Sequence, residues 1–240
     1  MALIDEATPA TVDAAGPGPA WCEGVALWLV RLDAWPGEER QRCLSEEEIQ
    51  RSGRFRFEDD RRRYVAAHVA LREHMAGFLG CAPADLVFRK GVHGKPGLVS
   101  ADLHFNLSHS GDLALIGLSR REEIGVDLEV LREVDDAQAL AEVVFGMHER
   151  QTLGALAGAA RDRAFLQGWT RKEACLKALG TGLSLSPQVF EAGLDDAAAE
   201  VVVPLSARPE RLAVCSLMGG KEAGTQTPWV GAVARRLRPA

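Results

Sequence analysis

Asp127 and Glu129 stand two apart in IGVDLEV (124–130), a run rich in β-branched and apolar residues. On a strand that spacing sends both carboxylates to one face and Val126 and Leu128 to the other. Two like charges in so small a volume repel, and the usual remedies are a bound cation or a raised pKa. Oxygen ligands with no His or Cys beside them favour Mg²⁺ or Mn²⁺ over zinc. The same pattern also suits an edge strand that turns an acidic face to water.

A helix expected over residues 163–180 carries the next candidates. At 100° per residue, Phe165, Trp169, Leu176 and Leu179 form an apolar stripe, with Glu173 roughly 70° from its centre. Lys177 shares that rim one turn on, so a Glu173–Lys177 salt bridge worth about 0.3–0.5 kcal/mol accounts for both. Lys172 falls roughly 30° from the centre of the stripe, where an amine must snorkel or meet an anion. A phosphate held between Lys172, Lys177 and a metal on the acids satisfies both observations. FNLSHSG (105–111) reads as a turn after a strand, with two serines, His109 as a donor to phosphate, and a glycine that lets backbone N–H groups face an anion. Ser108 and His109 do not suggest a hydrolase triad, because neighbours on a strand end point apart and no G-x-S-x-G elbow is present.

The elements that must position these residues come twice. In the first part, a strand over 25–32 and a polar helix over 39–55, entered through Ser45, precede a helix over 63–80 with Gly80 placed to cap it. Short strands over 86–89, 103–107, 113–119 and 124–129 alternate with Gly, Pro and Ser turns, as antiparallel strands do. The helix over 163–180 matches 63–80 in length. At an offset of 100 residues Glu73, Leu79 and Gly80 match Glu173, Leu179 and Gly180, and VFEAG at 189 echoes VFRKG at 87. Strands over 212–217 and 228–233 close the chain. The expected architecture is α+β: two similar helix-plus-antiparallel-sheet halves related by pseudo-twofold symmetry, 20–121 and 122–240, behind a flexible lead-in over 1–19.

Composition narrows the function classes. The 240 residues, 47% hydrophobic and 26% charged, suffice for a packed core without disulfides or structural metal. A net charge of −6, from 28 Lys+Arg against 34 Asp+Glu, supplies no field for holding nucleic acid. The five cysteines are odd in number and scattered, which reads as reduced and cytoplasmic. No apolar run approaches the roughly 18 residues of a membrane span, and the N-terminus lacks the pattern of a signal peptide. Against the acidic total, RSGRFRFEDDRRR (51–63) gathers six arginines, and Arg89, Lys90 and Lys95 form a second basic patch. Solvated surfaces explain such runs as readily as a ligand does.

Taken in order, GKP (94–96), FNLSHSG (105–111), IGVDLE (124–129) and FLQGWTRKEACLKALGTGLSL (165–185) resemble the 4′-phosphopantetheinyl transferases, of the Sfp type. The resemblance implies transfer of the phosphopantetheine arm of coenzyme A to a serine of an acyl, peptidyl or aryl carrier protein, with release of 3′,5′-ADP. It implies a monomer in which Asp127, Glu129 and Glu173 hold Mg²⁺ against the pyrophosphate. Lys172 and Lys177 match helix lysines that stabilise charge on phosphoryl oxygens. Ser108 and His109 match positions contacting the nucleotide phosphates, and Lys95 the GKP lysine near adenine. Arg51, Arg63 and Lys90 align loosely with positions serving the 3′-phosphate. Glu48 stands where the family sometimes has a lysine, with Arg54 or Arg61 as substitutes. Glu173 is also the candidate base for the carrier serine. The carrier docking surface is sought over 131–160, around Val144, Phe145 and Met147. A Mg²⁺-dependent nucleotide hydrolase and a non-catalytic coenzyme A sensor are the competing readings.

Overall fold

The computed structural model describes residues 24–91, 93–99, 102–206, 208–220 and 227–238, so the lead-in over 1–19 and Cys22 lie outside the described residues. The strands are β1 (Val25–Arg31), β2 (Phe88–Lys90), β3 (Pro96–Leu98), β4 (His104–Ser110), β5 (Leu113–Ser119), β6 (Ile124–Val130), β7 (Ala199–Val203), β8 (Glu210–Gly219) and β9 (Trp229–Arg236). All described pairings are antiparallel: β1-β5-β4 form one sheet, β6-β9-β8-β7 another, and β2-β3 a small hairpin. The helices are α1 (Glu38–Gln41), α2 (Glu46–Ser52), α3 (Glu58–Leu79), α4 (Ala137–Val144), α5 (Met147–Gly154) and α6 (Gly158–Leu179). The protein is α+β, and among the described residues no helix is long and apolar enough to cross a membrane.

Each large sheet buries one face under one long helix. Ala70, Leu71 and Met75 of α3 pack with Phe105, Ile116 and Leu118 of the first sheet. Ala174, Cys175, Leu176 and Ala178 of α6 pack with Val201, Leu212, Val214, Ala232 and Ala234 of the second. A further core joins the two sheets, setting Leu27 and Leu115 against Val126, Leu128 and Val233. Burial of such side chains, at about 1.5–3 kcal/mol each, fixes the sheets together.

The long helices are 22 residues each and end in left-handed glycines, Gly80 at φ 74° and Gly180 at φ 69°. They begin at 58 and 158, earlier than the apolar spacing suggested. In α3 the extension is electrostatic: Glu58, Asp59 and Asp60 suit the first turn and pair with Arg61, Arg62 and Arg63 at 3.7, 3.4 and 3.2 Å. Half of the arginine run is thus a helix surface carrying its own counterions.

The single helix expected over 39–55 is two. Ser45 takes an extended backbone and caps α2, accepting from the Glu48 N–H while the Glu48 carboxylate accepts from the Ser45 N–H at 2.8 Å. Glu48 also receives the Arg72 Nε at 2.9 Å. Its carboxylate is therefore turned inward as a cap and counterion, which explains an acid at this position. The echo at 189 is not a strand: residues 187–189 form a 3-10 turn, and Phe190 and Ala192 are buried from a loop.

Candidate active site

Gly125 sets the distance between α6 and β6. A Cβ there would overlap Ala174 O and Ala178 N and come within 2.8 Å of the Lys177 Cβ, so only glycine lets the helix backbone lie on the strand. Asp127 and Glu129 follow at i+2 and i+4 on that same face. Asp127 therefore meets the helix and not bulk water, while Glu129 is half-buried, which rules against a fully solvated acidic edge. Asp127 is 5% exposed.

Lys177 does not form the helix-surface salt bridge with Glu173. Its Nζ lies 2.5 Å from Asp127 Oδ1 and 3.2 Å from Ser108 Oγ, and Ser108 donates to the same Asp127 oxygen at 2.7 Å. Burial first, then the charges of Asp127 and Glu129, push the Glu173 carboxyl above the ordinary carboxylate range, with Lys177 acting the other way. His109 is held below the ordinary imidazole value by its partial burial, then by the positive charges of Lys177 and Arg63, with Asp60 opposing.

FNLSHSG is mostly strand. β4 runs through Ser110, and the turn is confined to Gly111 and Asp112, with Gly111 at φ 55° in the first central position of a two-residue hairpin. Alternation then places Asn106, Ser108 and Ser110 on one face. β4 and β6 are edge strands of different sheets, and this polar row joins them: Val126 N–H donates to Asn106 Oδ1 at 2.7 Å, Ser108 binds Asp127, and Ser110 donates to Glu129 Oε2 at 2.8 Å. Side chains here take the place of a backbone ladder.

The donor set suits a hard divalent cation. It is all oxygen, Glu173 feels the two other carboxylates, and Asp127 Oδ2 is buried with no hydrogen-bond partner among the described residues. The three acids nevertheless do not stand as an assembled ligand set: among the described residues no group of three His, Cys, Asp or Glu side chains is arranged to hold an ion. The ammonium of Lys177 supplies the positive charge at Asp127 instead.

The other expected contacts divide. Lys172 is corrected: it is 1% exposed, as its place near the stripe requires, but the anion it meets is Glu149, at 2.8 Å, and its amine also donates to the Pro187 and Phe190 carbonyls. It has no part in the acid cluster. Arg63 shares its guanidinium between Asp112 at 2.9 Å and Asp60 at 3.2 Å. Arg51 lies over the Tyr64 ring and lines a groove of about 630 Å³ with Arg54, Phe55 and Lys90, where Lys90 also pairs with Glu47. Lys95 gives its amine to Glu123 Oε2 at 2.6 Å and Ile124 O at 2.9 Å, beside a cavity of about 330 Å³ that Arg89, His104 and Arg236 also line. Val144 and Phe145 are buried, which removes them from any docking surface; Met147, Val143 and Leu140 are exposed. Sequence reasoning names Ser110 only as one of the two serines of FNLSHSG, without a partner, and it misses Asn106, Glu123 and Glu149. The period-two polar pattern N-x-S-x-S was the available signal for Asn106 and Ser110.

Comparison with known proteins gives one consistent answer. Residues 123–222 match the 4′-phosphopantetheinyl transferase superfamily, and residues 33–120 match the N-terminal part of 4′-phosphopantetheinyl transferase. The chain is 38% identical over 167 residues to the 4′-phosphopantetheinyl transferase HetI of Nostoc sp., covering 67% of this chain and 70% of HetI. It is 32% identical over 191 residues to a phosphopantetheinyl transferase of Thraustochytrium sp., covering 72% of this chain and 66% of the relative. With 4′-phosphopantetheinyl transferase psf-1 of Bacillus pumilus it shares 31% over 160 residues, 66% of this chain and 67% of the relative. The matched stretches span about two thirds of the length of these relatives.

Proposed function

Because the chain belongs to the 4′-phosphopantetheinyl transferase superfamily, we propose that it transfers the phosphopantetheine arm of coenzyme A to a carrier-protein serine and releases 3′,5′-ADP. The observation that carries this reading is the seating of α6 on β6 at Gly125, which faces Lys177 and Glu173 to Asp127 and Glu129. The division near 121 is part of the proposal, supported by matches that end at 120 and resume at 123. So is the Sfp-type assignment, supported by the likeness to psf-1.

Asp127, Glu129 and Glu173 would hold Mg²⁺ or Mn²⁺, which when bound neutralises diphosphate charge and orients the bond that breaks. Lys177 moves its ammonium from Asp127 to the phosphoryl oxygens, where charge gathers as the leaving group departs. His109 donates a ring N–H to a phosphate oxygen. The carrier serine Oγ attacks the phosphorus bearing the pantetheine arm, the bond from that phosphorus to the oxygen of 3′,5′-ADP breaks, and the serine proton passes to Glu173. A carboxylate that binds a cation is a weakened base, so Glu173 would take the proton through the oxygen that the ion leaves free. Arg51 and Lys90 border the groove that suits a further phosphate. The carrier, from fatty-acid, polyketide or nonribosomal peptide synthesis, docks near Leu140, Val143 and Met147, and the enzyme acts in the cytoplasm as a monomer.

The test is incubation of purified protein with coenzyme A, Mg²⁺ and an apo carrier. A mass gain of one pantetheine arm on the carrier is the expected result. Release of 3′,5′-ADP at the same rate without carrier would instead make the protein a hydrolase, and neither product would leave the sensor.

A further inference from the structure

We infer that Ser110 is a positioning residue for Glu129: by holding Oε2 it restricts the carboxylate and keeps Oε1 available as an oxygen ligand. The inference rests on the reading that the acids take a divalent cation.

Ser110 ends β4, immediately before Gly111. Its Oγ accepts from the Val130 N–H at 3.2 Å and donates to Glu129 Oε2 at 2.8 Å. Its single donor and one of its two acceptor lone pairs are engaged, so the side chain cannot rotate without breaking a bond. The two bonds close a small ring over adjacent residues of β6, tying the Glu129 side chain to the peptide that follows it. A glutamate has three rotatable side-chain bonds, and ordering them costs conformational entropy. The bond from Ser110 offsets part of that cost before any ligand arrives. No hydrogen bond among the described residues engages Glu129 Oε1, which is left for another partner.

The placement is systematic. Ser108 does for Asp127 Oδ1 what Ser110 does for Glu129 Oε2, and Asn106 secures Val126 N–H one step earlier on the strand. Ser108 also reaches Lys177, whereas among the described residues the side-chain hydrogen bonds of Ser110 go to Glu129 and Val130. Its effect on the chemistry therefore passes through Glu129 alone.

The test is Mn²⁺ binding to the full chain, read by the free-ion paramagnetic signal, beside steady-state transfer at varied Mg²⁺. Outer-sphere partners of metal ligands typically change affinity 10–100-fold. Ser110→Ala is expected to weaken Mn²⁺ binding about tenfold and to raise the Mg²⁺ concentration for half-maximal rate in proportion, with kcat at saturating Mg²⁺ within about twofold. Ser110→Thr, which keeps the hydroxyl, should restore both. If the alanine protein does not fold, Ser110→Cys, similar in shape with a weak donor, carries the same expectation. Wild-type Mn²⁺ affinity in a folded Ser110→Ala or Ser110→Cys protein would overturn the inference and leave the serine a backbone staple. No Mn²⁺ binding by the wild-type chain would overturn the metal reading and this inference together.

Discussion

Lys177 Nζ and Asp127 Oδ1 lie 2.5 Å apart, and Ser108 Oγ is within hydrogen-bond reach of both. A hydroxyl from the first sheet thereby joins an ion pair made between the second sheet and its helix. The arrangement balances a nearly buried carboxylate with a cation that can leave. Removing that cation exposes what it balances. Lys177→Ala should abolish transfer and lower the stability of the metal-free protein by about 2 kcal/mol, short of a fully buried pair because Lys177 is 28% exposed. Millimolar Mg²⁺ should raise the Tm of this variant more than that of wild type, since the ion replaces the missing charge. Chelation with EDTA should stop wild-type transfer while the Lys177–Asp127 pair keeps the fold intact. A Tm insensitive to Mg²⁺ in the variant would show that the acids do not take an ion.

Gly125→Ala tests the seating of α6. The added methyl meets helix backbone and the Lys177 Cβ, which cannot swing aside as a side-chain tip can. Relief requires lifting the helix from the strand, at a cost of about 3 kcal/mol or more. Transfer should fall further than stability, because the lift separates Lys177 from Asp127. Gly77→Ala is the control: it lies in the last turn of α3 with nothing within 4 Å of the added carbon, and should stabilise by up to about 1 kcal/mol. Denaturant unfolding of both proteins distinguishes the cases.

Lys172→Met separates a structural lysine from a phosphate ligand. Burial pushes the Lys172 amine below its ordinary pKa and Glu149 pulls it back up. Glu149 in turn accepts from the backbone N–H groups of Gly146, Ala192 and Gly193. The pair thus ties α5, α6 and the loop after residue 187 together. Loss of the lysine leaves a buried carboxylate without its cation, costing about 3–5 kcal/mol. At a temperature where the variant stays folded, its KM for coenzyme A should equal that of wild type. A KM raised tenfold would return Lys172 to the ligand set.

The parts of this site that sequence made legible are those governed by a single period. The α6 stripe placed Lys172 among buried residues and Glu173 and Lys177 on a rim, and the two-residue spacing put Asp127 and Glu129 on one face. What could not be read was which partner each charge would choose. Lys177 had Glu173 one turn away and took Asp127, because Gly125 brings β6 under the helix. Lys172 was given a phosphate, yet Glu149 lies on a separate short helix that no periodicity connects to it. FNLSHSG reads as a turn because Asn, Ser and Gly favour turns; pairing with β5 and the join to β6 hold it as a strand, and tertiary context outweighs propensity there. The capping box that splits 39–55 was half visible in Ser45.

Glu123 supplies the pH dependence. Burial alone would raise its carboxyl, but hydrogen bonds from His104 and Lys95 and the charge of Lys95 outweigh burial and hold it at about 2. A carboxylate whose folded pKa is depressed adds stability above its unfolded value and loses that contribution as pH falls through the folded value. The contribution of Glu123 is therefore complete above the ordinary glutamate range and disappears between that range and about pH 2. Glu123→Gln should lower Tm at pH 7, with the gap to wild type closing steadily as the solution is acidified across this window. Because Lys95 Nζ sits on Glu123 Oε2 and on Ile124 O, the substitution also frees an amine beside the 330 Å³ cavity, and the KM for coenzyme A should change while kcat does not. Thermal unfolding of both proteins from pH 7 to pH 2 checks the sign: a gap that widens on acidification would mean that Glu123 is held above, not below, its unfolded pKa.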